Sequence, residues 1–328
     1  MLPGAKDFRV STPARFQARK NLRNAVFFLV LAAGLAYLFF KGPRLQSFIN
    51  LNLLEILLLL AVSFSGYLVL GLGFRSLVRI FDVVLSFKEW FGLTVCNTMF
   101  NHYLPARGGT VLKAYYLKKK HSLSYPHYAA LMAGSVFLVL ALASLVGLLI
   151  VLLVSAVTGR FIVSLAAAFS LIFLGVLLTG LITKQLLRLK IHKKFSRLSL
   201  FLSNLRDGLS LFSAHKKHAL DFCLLSLFFL LIMAARLYLC FLALGFGVQF
   251  WAVLLIMIIT EFSFLISVIP GNLGIKEGII VFSGGFFGIT ADQALAAAIL
   301  DRAVSLVVIF GFGFIYSKTL LDKIDEKG

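Results

Sequence analysis

From Phe250 to Ile315 the chain runs through more than sixty largely apolar residues, and one decapeptide, Ile269 to Gly278 (Ile-Pro-Gly-Asn-Leu-Gly-Ile-Lys-Glu-Gly), breaks that run. Pro270 lacks a backbone donor, and Gly271, Gly274 and Gly278 loosen the chain, so a continuous helix is interrupted here. In hydrocarbon, an irregular backbone survives only where protein buries it or where it lines a polar cavity. Lys276 and Glu277 fall beside the break, and charge inside a membrane marks a functional site by default. The alternative is a short loop at the membrane surface, where Pro, Gly, Lys and Glu cost little.

The rest of the chain demands a membrane. Of 328 residues 60% are hydrophobic and 14% charged, and mean hydropathy is +0.99, which fits a polytopic helical membrane protein and no soluble domain of this length. The apolar runs are continuous, without the strand alternation of an outer-membrane barrel. A net charge of +19 would suit a nucleic-acid binder, but the basic residues gather in the connections between apolar runs. That is the positive-inside pattern, with contact to anionic headgroups, and it argues against nucleic acid. Cys96, Cys223 and Cys240 all lie in apolar runs without metal-ligand or disulfide spacing, as small buried hydrophobes do. No metal site and no cofactor is expected. There is no His/carboxylate metal constellation, no Gly-x-Ser-x-Gly, and no Gly-rich phosphate loop, so ATP-driven transport by this chain alone is not expected.

The charges set a topology. Residues 1–23 form a basic cytoplasmic segment, and a first span at Asn24–Phe40, followed by Lys41-Gly42-Pro43-Arg44, reads as an uncleaved signal anchor. A second span is expected at Leu53–Phe74. Trp90–Leu104 is too short to cross comfortably and ends at Pro105; Thr110–Leu117 then leads back to Lys118, Lys119 and Lys120. This reads as a re-entrant hairpin, with an interfacial helix pair as the alternative. Spans follow at Tyr128–Ala156 and Phe161–Thr183. The basic connection 184–218, with Leu198, Phe201, Leu202, Leu205, Leu209 and Phe212 at helical spacing, is expected on the inner leaflet. A span at Ala219–Phe246, a second re-entrant hairpin over 250–290 and a last span at Ala291–Ser317 complete one transmembrane domain, 24–318, with a cytoplasmic tail, 319–328. The alternative for 250–290 is two full crossings. On this map 24 of 32 Lys and Arg are cytoplasmic, three are outside and five are embedded. The fold class is therefore an all-α polytopic integral membrane protein with about six transmembrane helices and two opposed re-entrant hairpins, both termini cytoplasmic.

The two hairpins share a pattern. Pro105 to Gly109 and Pro270 to Gly274 are both Pro-x-x-x-Gly turns, each after an apolar helix and before a basic residue, Lys113 or Lys276. Each leads on to an alanine-rich span. Opening to opposite faces, they would be inverted repeats whose broken segments meet near the midplane. The turn residues of interest are Asn101, Pro105, Gly109, Pro270, Gly271, Asn272 and Gly274.

Leu104 to Gly109 (Leu-Pro-Ala-Arg-Gly-Gly) before a basic run, and Pro270 to Glu277 with Leu300-Asp301-Arg302 further on, resemble the lysylphosphatidylglycerol synthase transmembrane-region (flippase-like) family. The resemblance covers roughly residues 20–318. It implies a prokaryotic plasma-membrane protein related to the lipid-flipping half of the lysyl-lipid synthases, without their soluble aminoacyl-transferase domain. The sequence departs from the family where Gly134 to Phe137 is apolar and where Thr110 follows Gly109.

Five embedded cations, Arg107, Lys113, Arg236, Lys276 and Arg302, outnumber the embedded acids Glu261, Glu277 and Asp301. The excess suits a phosphate-bearing headgroup, which Arg can grip with two donors, while the acids tune its charge. Internal pairing, for example of Arg302 with Glu277, is the competing use. The expected function is translocation of an anionic or zwitterionic phospholipid, or a polyprenyl-linked lipid, between leaflets. The rival is a membrane-embedded enzyme, or the partner of a separate lipid-modifying enzyme, acting on a lipid phosphate with His102 as acid or base. A solute or ion carrier is a third reading.

Overall fold

A chain that buries its backbone donors in lipid must close its hydrogen bonds within each segment, and helices do this alone. The computed structural model describes residues 51–104, 108–158, 163–186, 196–263 and 270–325, and among them there is no strand. Among the described residues the ten α-helices are α1 Leu53–Val78, α2 Phe87–Tyr103, α3 Gly108–His121, α4 Tyr125–Thr158, α5 Val163–Leu186, α6 Ser196–Ala214, α7 Lys216–Ala243, α8 Phe250–Glu261, α9 Ile275–Gly285 and α10 Ala291–Asp325. Single 3-10 turns follow α1 at Arg79–Phe81 and precede α9 at Pro270–Asn272. Among the described residues four helices (α1 with its 3-10 turn, α4, α7 and α10) are long and apolar enough to cross a bilayer. This is the all-α membrane fold expected. The span at Asn24–Phe40, with Pro105 and Arg107, lies outside the described residues.

Several boundaries differ from the sequence reading for local reasons. α2 starts at Phe87, before Trp90, because the Glu89 carboxylate takes the Ser86 backbone N–H (2.9 Å) and hydroxyl (2.7 Å) and caps the first turn. α8 has twelve residues and α9 eleven, so at 1.5 Å per residue they rise about 18 and 16 Å, against about 30 Å of hydrocarbon.

Two apolar cores are strung along α1, α7 and α10. One gathers Leu59, Leu237, Phe241, Ile256 and Ala297. The other gathers Phe74, Trp90, Phe91, Phe222 and Val308. Leucines such as Leu54, Leu153, Leu171 and Leu174 are exposed on the outer faces of α1, α4 and α5, as lipid-facing positions are. α6 lays Leu205 and Phe212 against the protein and touches α4 where Gly208 meets Gly134 backbone to backbone. A Cβ at Gly208 would strike the Ala130 carbonyl.

α10 is the post on which two short hairpins lean. The α2–α3 hairpin begins level with Tyr316, which fills the space beside Gly92, and climbs past Gly313 beside Met99. Its top, at His102, touches Gly271. α9 starts beside Asp301 and Arg302 and ends with Gly284 against Ala294, near the start of α10. The two hairpins thus take opposite halves of α10 and meet beside its Asp301–Arg302 step.

Candidate functional site

Asp301 is 1% exposed in the middle of this junction, and a buried carboxylate must be paired. Arg236 of α7 answers it with two bonds, Nε to Oδ1 at 2.7 Å and Nη2 to Oδ2 at 3.1 Å. The same guanidinium reaches Ser63 of α1 through Nη1 (3.0 Å), so three long helices are tied at one level. That level is ten residues in from the start of α1, seven from the end of α7 and ten from the start of α10, about 10–15 Å from those ends. Tyr67 of α1 bonds Ser305 of α10 at 2.6 Å just below.

Lys276 shares the same carboxylate, with Nζ 3.0 Å from Asp301 Oδ2. Its position follows from the turn. Gly271 (φ 65°), Asn272 (φ 51°) and Gly274 (φ 79°) are left-handed, which ends the 3-10 turn and lets α9 start afresh at Ile275. Glu277 then accepts the Gly274 N–H at 2.8 Å and caps α9. Glu277 also pairs with the Arg302 guanidinium, whose Nη1 and Nη2 donate to the carbonyls of Gly271 (3.1 Å) and Asn272 (3.4 Å). Arg302 therefore fixes the turn from beneath, by charge and by backbone.

Accessibility separates the cations. The Arg236 side chain is 2% exposed and spent on internal partners, whereas Arg302 keeps 13% and Lys276 25% of the side chain open. These last two are the ones that can still meet an anion. Glu261, at the end of α8, is half-buried and feels the charge of Lys276 without a salt bridge to it. Among the described residues the junction holds three cations and three acids, so the cation excess read from the sequence falls to Lys113 and Arg107. Lys113 stands apart: it is buried in α3 with its ammonium 3.2 Å above the Phe74 ring. Arg107 and Pro105 lie outside the described residues.

The first turn reaches the second through its flanks. The His102 ring lies where a Cβ on Gly271 would stand, and its Nδ1 is 2.8 Å from the Thr98 carbonyl. Gly109 lies so close to the Asn97 carbonyl and the Asn101 side chain that no Cβ fits, which lets α3 return tightly along α2. At the foot of that hairpin Glu89 gathers Tyr116 (3.0 Å), Lys120 (2.7 Å) and His121 (3.2 Å) on Oε1. Burial alone would raise the Glu89 carboxyl; the bonds from Lys120, Ser86 and Tyr116 outweigh it and hold it well below the carboxylate range. Sequence reading missed Ser63, Tyr67 and Glu89. Only Glu89 carried a signal, the Ser-x-x-Glu cap spacing; a lone Ser or Tyr in an apolar span carries none.

Over residues 25–313 the chain matches the family described as the lysylphosphatidylglycerol synthase TM region, and it belongs to that family. Two proteins of Methanothermobacter thermautotrophicus, each described as a "UPF0104 membrane protein", are 30% identical over 117 residues and 31% identical over 106. The matched parts are 36% and 32% of this chain, and 32% and 31% of those proteins. The chain thus matches about a third of the length of these curated relatives.

Proposed function

We propose that this member of the family carries a phosphate-bearing lipid headgroup between leaflets of a prokaryotic plasma membrane. The observation that carries the reading is that Lys276 and Arg302, both partly open, flank a broken helix at the junction of two short hairpins. Helices of twelve and eleven residues support a second hairpin that enters and leaves by one face. The foot of the first hairpin, tied at Glu89, supports entry and exit by the opposite face. Two opposed re-entrant hairpins of this kind would be inverted repeats, and rocking one against the other around a fixed site gives alternating access. The headgroup exchanges hydration for Arg302 and Lys276, while its acyl chains stay in the bilayer. Glu277 and Asp301 keep those cations from holding the phosphate too tightly to release it. The family membership supports a role with membrane lipids; anionic or zwitterionic phospholipids and polyprenyl-linked lipids are the substrate classes that fit.

Leaflet translocation of a labelled lipid in proteoliposomes tests this, with R302A and E277A beside wild type. The reading expects wild type to exceed empty liposomes and both variants to fall toward them. Equal rates in all four preparations reject it. One observation favours the enzymatic rival: His102 has Nδ1 on the Thr98 carbonyl, which leaves Nε2 free to take a proton beside the junction. Mass spectrometry of the lipids after incubation separates the two, since redistribution without chemical change excludes an enzyme.

A further inference from the structure

A cavity lies away from the charge junction. It is an open groove of about 900 Å³ between α3, α4 and α6, and none of the paired cations or acids lines it. Its size falls in the range of ligand sites, about 300–1,000 Å³. The walls change in a definite order along one face of α4. Tyr125, the first residue of that helix, stands at one end and carries the Lys118 ammonium 4.4 Å above its ring. Lys118 is exposed and takes part in no salt bridge among those described, unlike Lys120, which Glu89 holds. One turn deeper is Tyr128, 5% exposed, whose buried hydroxyl has no hydrogen-bond partner. A further turn on come Met132 and Ala133, opposite Val111 of α3.

We propose that the groove binds one glycerophospholipid with an anionic headgroup. The sequence of chemistries fits that molecule from phosphate to tail. Lys118 draws the phosphate, since an ammonium on a ring keeps its outer side free. The Tyr128 hydroxyl donates to an acyl ester carbonyl, the acceptor it lacks within the protein. The apolar wall takes the chain. α6 closes the groove because Gly208 on Gly134 holds it against α4. This site is independent of the translocation reading: it needs no movement of the lipid, and the junction cations take no part in it.

The test uses the full chain in vesicles with Met132→benzoylphenylalanine, which crosslinks on illumination to whatever fills the groove. Vesicles contain phosphatidylglycerol and phosphatidylcholine in equal amounts, and adducts are weighed by mass spectrometry. The expected result is a phospholipid adduct favouring phosphatidylglycerol about fivefold, the preference that one lysine near an anionic lipid implies. K118E abolishes that preference. The same probe at Leu171, on the exposed face of α5, records the two lipids in their bulk ratio and controls for general annular contact. A phospholipid adduct at Met132 with the Leu171 ratio overturns the proposal. So does a crosslink from Met132 to residues 1–50, which would make a segment of this chain the occupant. Both measurements are made on protein that elutes as wild type, so misfolding does not enter.

Discussion

Asp301 serves two cations at once, and that gives the residues around it unequal weights. Removing its charge leaves Arg236 buried without a counter-ion, a loss of about 3–5 kcal/mol, while replacing both partners by apolar residues of similar volume is nearly neutral. D301N should therefore unfold at lower temperature in detergent than R236M/D301L, and a double variant worse than D301N would refute the pairing as the cause. Gly271 is the second sensitive residue. G271A meets both a left-handed φ of 65° and the His102 ring, so it should cost about 1–2 kcal/mol for the backbone plus a steric part. H102A should relieve the steric part only, which a comparison of G271A with G271A/H102A in the same unfolding assay measures. The charged residues of the junction were legible in the sequence because intramembrane charge is rare. Of their pairings only Arg302 with Glu277 was foreseen, and the structure makes that pair. Arg236 and Asp301 are 65 positions apart, and nothing local tells that Asp301 takes both Arg236 and Lys276. Pairing belongs to the packing of α7, α9 and α10.

The elements show where sequence pattern reaches and where it stops. Long apolar helices were readable from run length, and so was the helical stripe of α6, because Leu205 and Phe212 recur on one face. That the stripe covers α4 depended on Gly208, whose lack of a side chain is invisible until Ala130 is beside it. G208L should pry α6 from α4 and lower the unfolding temperature by several degrees, whereas G175L in α5, where a Cβ meets nothing within 4 Å, should not change it. The α2–α3 hairpin has its own latch. Because the folded Glu89 carboxyl is held below its ordinary value of 4.5, its contribution is complete above that value and lost as pH falls through the folded one. E89Q should be less stable than wild type by about 1–3 kcal/mol near neutrality. The gap should close on acidification below about pH 4.5, because wild type alone declines; a gap independent of pH would assign the loss to packing.

At the scale of the whole molecule, α10 is a shared ruler. Two chains of contact, Tyr316 to Gly271 and Ala294 to Lys276, run along it from opposite ends and stop at the same step. With 24 basic residues in the connections assigned to the cytoplasm and three in those assigned outside, the Tyr316 end should face inward and the Ala294 end outward. Single cysteines in a background without Cys96, Cys223 and Cys240 can read this directly. A cysteine at exposed Arg206 should react with an impermeant maleimide only after the cytoplasmic face is opened, and one at Gln249 from the outer face of intact cells. Asn272 sits where the hairpins meet, so a cysteine there should react slowly with large reagents from either side and faster with a small methanethiosulfonate. Prior occupancy of the junction by a phosphate-bearing lipid should slow it again, because the headgroup would lie between Lys276 and Arg302. Fast labelling of position 272 by the impermeant maleimide would mean the turn stands in bulk water. Water there would screen both cations, and neither hairpin could then hand a headgroup to the other.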